Sequence, residues 1–557
     1  MSNNPYLACL SLSIKYPTGP TSDRTSRSYS LSPIIMAGGA PQFTTWRNNA
    51  HSNWWQDPGL RRLHFWIGVI YLSITTFGYD GSLLNGLQTL PQWNTYFNTP
   101  SGNRLGLISA SQSLPGIVVP FLAAWTNDKF GRKFILWFGG SLLIAGAIVQ
   151  ATAKGDGQFI ASRVLVGSGS ALQASAAPIL VTELAHPRTR GRTTSLYMTT
   201  YYVGSILAAW ICFGMLGHSA PWIWRVPCAL QGAFALMQLS VLAWMPESPR
   251  WLVSKGRDDE ALQILARYHA NGDVNDELVR NELLEIQNAL ASENRLRTKS
   301  SWLDMVRTPG NRHRTTIVVI SALGAQLNGV GILSYYLAPV LALVGVTDPR
   351  QQGALNGGLA IWNWLLSILG SLAVDRIGRR PIWLFATSGM LLSYVIVTAL
   401  SATFDRTSDR ATGLAVIPMI FVTFGFYDIC WTPLPTAYSA EILSYSIRSM
   451  GMSLLQVVQA LALAFNQWVN PVALEAIAWR YYIVYIGTLS TLLVLIWFLY
   501  PETKGYTIEE LAEVFDGDKS LHDSGVVGTP RSSDIEVGNI EKKNDHDIEY
   551  HENFGDK

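Results

Sequence analysis

Charge is scarce in this chain of 557 residues: Asp, Glu, Lys and Arg together make up 14%, and the formal net charge is +2. So small and dispersed a balance argues against a nucleic-acid partner, which needs a basic face. Cysteine is nearly absent too. Cys9, Cys212, Cys228 and Cys430 are the only four. They lack metal-ligand or disulfide spacing, and three lie in apolar stretches, so they read as isolated buried thiols and no metal is expected. No Asn-x-Ser/Thr acceptor occurs. The Gly-rich runs Gly167-Ser-Gly169-Ser and Gly139-Gly140 lack the Lys-Ser/Thr of a phosphate loop, and read instead as surfaces for close helix contact. No nucleophile–base constellation is present, so neither an enzyme nor a cofactor is expected. Residues 1–35 lack the basic stretch and apolar core of a cleaved signal. Met36 opens a more ordinary lead-in and is a candidate start.

What fills the chain is apolar: 48% of residues, with a mean hydropathy of +0.18. Crossing a bilayer takes about 20 mostly apolar residues. Twelve such segments are read, at about 63–84, 105–125, 134–153, 158–182, 194–216, 224–245, 315–341, 352–374, 381–401, 412–437, 451–471 and 480–500. Each must be a helix, because lipid offers no partner to backbone amides. The even-to-odd connections and the central loop hold about 21 Lys and Arg, the opposite side about seven, which predicts both termini in the cytoplasm. The fold class is therefore all-α: a polytopic membrane protein with twelve helices in two six-helix bundles. The expected organisation is a disordered cytoplasmic N-terminus (1–60), a first bundle (61–245), a cytoplasmic loop (246–314), a second bundle (315–500) and a cytoplasmic tail (501–557). Within the loop, 258–270 and 276–294 show apolar residues at helical spacing among charges and read as amphipathic helices bracing the halves.

The two halves repeat each other. Asp128-Lys-Phe-Gly131-Arg132-Lys133, Glu183 with Arg190 seven residues on, and Pro246-Glu247-Ser-Pro-Arg250 occur in the first. Asp375-Arg-Ile-Gly378-Arg379-Arg380, Glu441 with Arg448 seven residues on, and Pro501-Glu502-Thr-Lys-Gly505 answer them in the second, offset by 247 to 258 residues. A duplicated six-helix unit with charged motifs between its helices is the signature of a secondary transporter. Asp80 is the unusual acid, since a carboxylate inside a span costs a few kcal/mol unless paired, hydrated or protonated. Arg163, also within a span, is the obvious partner.

These motifs, with Phe77-Gly78-Tyr79-Asp80 and Arg163-x3-Gly167-x-Gly169, resemble the sugar-porter branch of the major facilitator superfamily over about residues 60–515. Tyr268-His-Ala-Asn-Gly-Asp273 and Trp431-Thr-Pro-Leu-Pro-Thr-Ala-Tyr438-x-x-Glu441 resemble its fungal lactose-permease-like members. The resemblance implies a cytoplasmic gate of Asp128, Arg132, Glu183, Arg190, Glu247, Arg250, Asp375, Arg379, Glu441, Arg448 and Glu502, whose salt bridges join the halves when that side is closed. Short Arg-rich loops that merely fix orientation are the plainer reading. It also implies that Asp80 and Arg163 stand side by side. Asp80 would load a proton when Arg163 swings away, or else the pair simply locks two helices.

For the solute, the resemblance implies a mid-membrane site of Gln326, Asn328, Tyr335, Asn363, Trp431 and Gln459. Here the sequence departs from the family: Ala325 replaces a glutamine, Asn328 a small hydroxyl, Gly331 an asparagine, Thr436 a stacking Trp and Met198 a sugar-binding Gln. An Asn or Gln in a span can equally be interhelical glue. The expectation is a monomeric plasma-membrane carrier of a neutral sugar, hexose or disaccharide, together with a proton. A porter for a polyhydroxy acid or secondary metabolite is the rival in transport, and a sensor signalling through 506–557 the rival outside it.

Overall fold

The computed structural model describes residues 46–51, 53–297, 301–444, 447–504 and 514–515. The disorder expected at either terminus falls largely on residues outside these. Among the described residues, ten helical stretches are long and apolar enough to cross a bilayer. They supply span 1 (Pro58–Gln88), span 2 (Gly102–Phe130), span 3 (Arg132–Ala151), span 4 (Asp156–Leu184), span 5 (Arg190–Met215) and span 6 (Arg225–Leu242). Span 8 (Pro349–Ile377), span 9 (Arg379–Thr407) and span 10 (Arg410–Ile442) follow. The last stretch turns through Ala478–Arg480 and holds both span 11 (Arg448–Ile477) and span 12 (Tyr481–Leu499).

Several helices outrun the apolar segments that announce them. Span 1 begins five residues early because Asp57 caps it, its Oδ1 accepting from Leu60 N at 2.9 Å, with Pro58 at the first helical position.

Span 7 is not one continuous helix. It runs as Pro309–Leu327, Val330–Tyr335 and Leu337–Leu343, broken at Gly329 (φ +96°) and at Tyr336. Backbone freed at membrane depth must find partners inside the protein, and here it does. Asn328 Oδ1 accepts from Val330 N at 3.1 Å, Tyr394 donates to Gly329 O at 2.6 Å, and Asn466 donates to Gln326 O at 2.6 Å. Span 2 is jointed as well, its turn at 111–114 separating Gly102–Ala110 from Pro115–Phe130.

Small residues let helices touch. A Cβ on Gly169 would stand 2.5 Å from Gly139 O, and one on Gly139 2.9 Å from Gly169 O, so spans 3 and 4 approach backbone to backbone.

One end of the bundle carries the repeated motif loops and the central linker, and is called proximal; the other is distal. The linker helices Asp258–His269 and Glu277–Arg297 follow the expected amphipathic segments. Among the described residues their hydrogen bonds run to the first half. His269 lies between Glu282 (2.8 Å) and Leu184 O (3.1 Å), and Arg190 donates to Glu282 at 3.1 Å. Part of the segment expected to be disordered is ordered. Asn48 and Asn49 donate to His269 O and Ala270 O at 3.1 and 2.8 Å, and Asn49 N to Asp276 at 3.0 Å, so 46–51 is pinned to the linker by polar side chains instead of apolar periodicity.

Candidate functional site

The repeated charged motifs form one module built twice. Gly131 (φ +92°) and Gly378 (φ +114°) close spans 2 and 8 in a backbone region that favours glycine. A Cβ there would lie 2.6 Å from Glu247 and 3.0 Å from Glu502 respectively. The missing side chain lets each glutamate cap the next helix: Glu247 accepts from Arg132 N (3.3 Å) and Lys133 N (3.2 Å), Glu502 from Arg379 N (2.9 Å) and Arg380 N (3.0 Å). Arg132 then forks onto Glu183 at 3.1 Å, and Arg379 onto Glu441 at 2.9 Å. Ser248 and Thr503 complete the glutamates at 2.5 and 2.6 Å. Burial pushes the Glu247 carboxyl up, against the pull of these amides and of Arg132.

These ion pairs lie within each half, not between the halves as expected for a closed gate. Arg190 pairs with Glu282 of the linker, and Arg448 donates to Leu443 O at 3.2 Å. Asp128 offers its backbone carbonyl to Trp251 Nε1 at 3.1 Å, and Arg250 sits half-buried in the short helix Pro249–Ser254. The side chain of Asp375 falls outside the described ones.

Cross-half contacts gather at the other end. Asn85 donates to Asn356 at 2.8 Å and accepts from Leu337 N at 3.1 Å, while Gln88 donates to Tyr335 O at 2.8 Å. Trp468 donates to Asn103 at 2.7 Å, Ser101 to Glu475 at 3.0 Å and Ser113 to Gln467 at 2.8 Å. The fit between spans 2 and 11 loosens proximally. A Cβ at Gly106 would meet Trp468 O at 2.6 Å, whereas one at Gly116 would find Ala460 only at 3.6 Å. The chain is thus sealed distally, in a state where the proximal pairs remain within the halves.

Between these ends lie two buried acids. Asp80 is 1% exposed and Arg163 2%. They are neighbours, but the expected direct pair is replaced by a bridge. Gln112, placed by the joint in span 2, donates to Asp80 and accepts from Arg163. Gln231 of span 6 donates to the other carboxylate oxygen at 2.6 Å. Glutamines in both places satisfy Asp80 without fixing its charge.

The second acid is Asp428 of span 10, also 1% exposed. It accepts from Tyr202 of span 5 at 2.6 Å, from Thr432 at 3.1 Å and, with the amide turned to satisfy its neighbours, from Asn363 of span 8 at 3.1 Å. No cation lies within 4.0 Å of it among the described residues. Asp428 was missed in the sequence, though the reasoning that singled out Asp80, an acid inside an apolar span, applies to it unchanged. Gln112, Gln231 and Tyr202 gave no comparable signal, being polar residues that a span accepts as ordinary glue.

The expected solute residues divide. Asn363 faces Asp428, and Tyr335 and Gln459 are half-buried. Asn328 is fully buried and its carbonyl oxygen is used in capping the break in span 7. Gln326 is half-buried, its backbone carbonyl taken by Asn466. The amide absent at Gly331 is replaced in space by that of Asn466, which stands where a Cβ would be. Trp431 is 2% exposed, packed edge-on against Trp383 at 4.6 Å and over Gly324.

Comparison with known proteins agrees with this architecture. The profile of the family described as "Sugar (and other) transporter" matches residues 66–515. The MFS-type transporter oryC of Aspergillus oryzae is 29% identical, the match covering 82% of this chain and 86% of that one. The high-affinity glucose transporter of Kluyveromyces lactis is 28% identical over 80% and 84%, and the quinate permease of Neurospora africana 27% over 84% and 91%. Among solved structures, the inward-open xylose transporter XylE of E. coli superposes with a TM-score of 0.69 at 22% identity, covering 81% of this chain and all of that one.

Proposed function

The chain belongs to the sugar (and other) transporter family, and on that premise we propose that it carries a neutral sugar across the plasma membrane together with a proton, by rocking its two halves about the centre. The termini and linker face the cytoplasm in this reading, so the sealed distal end is external and the state described faces inward. Related fungal proteins named as glucose transporters, and structures of a xylose–proton symporter, support the substrate class and the coupling.

The observation that carries the reading is the bridge Asp80–Gln112–Arg163. A carboxylate held by two neutral amides, with a guanidinium one side chain away, can gain or lose a proton as Gln112 moves, and span 2 is jointed at that residue. Asp428, Asn363 and Tyr202 form the solute-facing cluster. A carboxylate accepts the paired hydroxyls of a polyol, and Tyr202 contributes from the opposite half, so occupancy would be sensed by both.

The test is uptake of labelled glucose, lactose, cellobiose, maltose and quinate at acid and neutral pH in a transporter-null cell. Asp80→Asn is expected to abolish accumulation while sparing exchange. Accumulation equal to the wild type rejects the coupling; uptake of quinate alone rejects the neutral sugar.

A further inference from the structure

Where the first turns of span 1 meet the end of span 6 and the linker helix Asp258–His269, the proximal surface holds a cavity of about 530 Å³. Arg61 and Arg62 of span 1 and Arg267 of the linker helix line it. All three are exposed, and none has a carboxylate within 4.0 Å among the described residues. The nearest acid in sequence, Asp57, is occupied by Leu60 N, His51 N and Asn271. Three like charges around one cavity repel each other, and an anion between them relieves that repulsion.

The rest of the lining is aromatic. Trp66 donates to Tyr268 at 3.2 Å, giving the cavity a fixed floor, and the Arg267 guanidinium lies over the Tyr268 ring at 5.7 Å. Phe65 and Trp244 stand at the mouth, 56% and 73% exposed. They lie where the apolar stretches of spans 1 and 6 begin and end, the level at which aromatic side chains meet lipid headgroups. The pocket therefore joins a cationic wall facing the aqueous side to an apolar lip facing acyl chains.

We propose that this pocket binds the headgroup of an acidic phospholipid, its phosphate oxygens taken by Arg61, Arg62 and Arg267 and its chains lying over Phe65 and Trp244. Basic pockets at the cytoplasmic edge of a helical bundle suit such ligands. Because Arg267 belongs to the linker and Arg61 and Arg62 to span 1, the bound lipid would clamp the linker to the first half. The inference is independent of which solute the protein carries.

The experiment uses the full chain, delipidated in detergent, with native mass spectrometry as the readout. Phosphatidylinositol 4-phosphate, phosphatidylcholine of the same acyl chains, and inorganic phosphate are titrated separately. The acidic lipid is expected to remain bound at concentrations at least tenfold below phosphatidylcholine. The triple variant R61Q/R62Q/R267Q should lose at least tenfold in apparent affinity for it, R61K/R62K/R267K should lose less, and R350Q, at the distal end, should match the wild type. If the triple variant does not fold, R62Q alone, with an unchanged melting temperature, should lose about fivefold, the worth of one cation near a headgroup. Unchanged lipid binding in the Gln variants overturns the proposal. So does displacement of the lipid by inorganic phosphate at equal concentration, which would make the pocket a site for soluble anions.

Discussion

The distal seal can be loosened at one atom. In the sealed state Gly106 of span 2 faces span 11, and a Cβ there would stand 2.6 Å from Trp468 O, 3.2 Å from Trp468 Cδ1 and 3.3 Å from Pro471. A carbon–oxygen contact settles nearer 3.4 Å, so Gly106→Ala must push the two halves apart by about 0.8 Å. The atom met is backbone, which cannot turn away. Overpacking of this kind costs about 1–3 kcal/mol, and only the sealed state bears it, because spans 2 and 11 separate when the distal end opens. At 1.4 kcal/mol per factor of ten, the odds of the distally open state should rise about 5- to 150-fold. Gly116→Ala on the same pair of spans is the control, since its Cβ would meet Ala460 at an ordinary 3.6 Å. Spin labels at Thr95 and Ile477, exposed at the distal end on opposite halves, report the opening by pulsed dipolar distance measurement. The long-distance population should grow in G106A and stay at the wild-type level in G116A. Equal distributions in all three proteins would refute the claim that this contact holds the distal end shut.

Asp428→Asn keeps the shape of the side chain and turns one acceptor into a donor; apparent KM for the preferred sugar should rise about tenfold, as a hydrogen bond of about 1.5 kcal/mol is lost, and an unchanged KM removes Asp428 from the solute site. Gly131→Ala adds a side chain at φ +92° and 2.6 Å from Glu247, so the apparent melting temperature should drop by several degrees for a cost of about 1–3 kcal/mol, whereas Gly191→Ala, with open space around it, should not change it. His269 is opposed by burial, but Glu282 and Leu184 O outweigh it and raise its pKa. Its contribution to linker docking is therefore complete below about pH 6.5 and fades as pH rises through the raised value. Hydrogen exchange of 258–269, corrected for intrinsic rates, should accelerate above neutrality, and His269→Gln should abolish that dependence. His186, which burial drives down to about 2, works in the opposite sense below about pH 6.5, so the alkaline window isolates His269.

Span number and the duplicated module were legible because they rest on long apolar runs and on charged residues that lipid does not tolerate by accident. Partners within the module were not. Arg190 pairs with Glu282, some 90 residues on. Pairing across loops depends on where the linker docks, and no periodicity encodes that. The break in span 7 was visible only as Asn328-Gly329-Val-Gly331. Asn328 was read as a pocket residue because a polar residue at mid-membrane serves a solute and a broken backbone equally well. The seat of Trp431 was hidden for a related reason: Gly324 opens a slot for its ring on a neighbouring span, and single-sequence spacing cannot show which rings have slots.

The distribution of bond types explains how such a molecule can move. Within each half the strong contacts are ionic and multiply supported: Glu183 accepts from Arg132 and Ser248, Glu441 from Arg379 and Thr503, and each arginine's backbone amide is held by a capping glutamate. Between the halves the partners are mostly neutral amides, hydroxyls and carbonyls, each contributing about 1 kcal/mol net. The distal seal is then worth a few kcal/mol, and opening it exposes groups that water can satisfy. Rigid halves joined by a weak seam can exchange one sealed end for the other at modest cost. Had the ion pairs seen here joined the halves instead, breaking them would strand desolvated charges, and the barrier to alternation would rise by several kcal/mol.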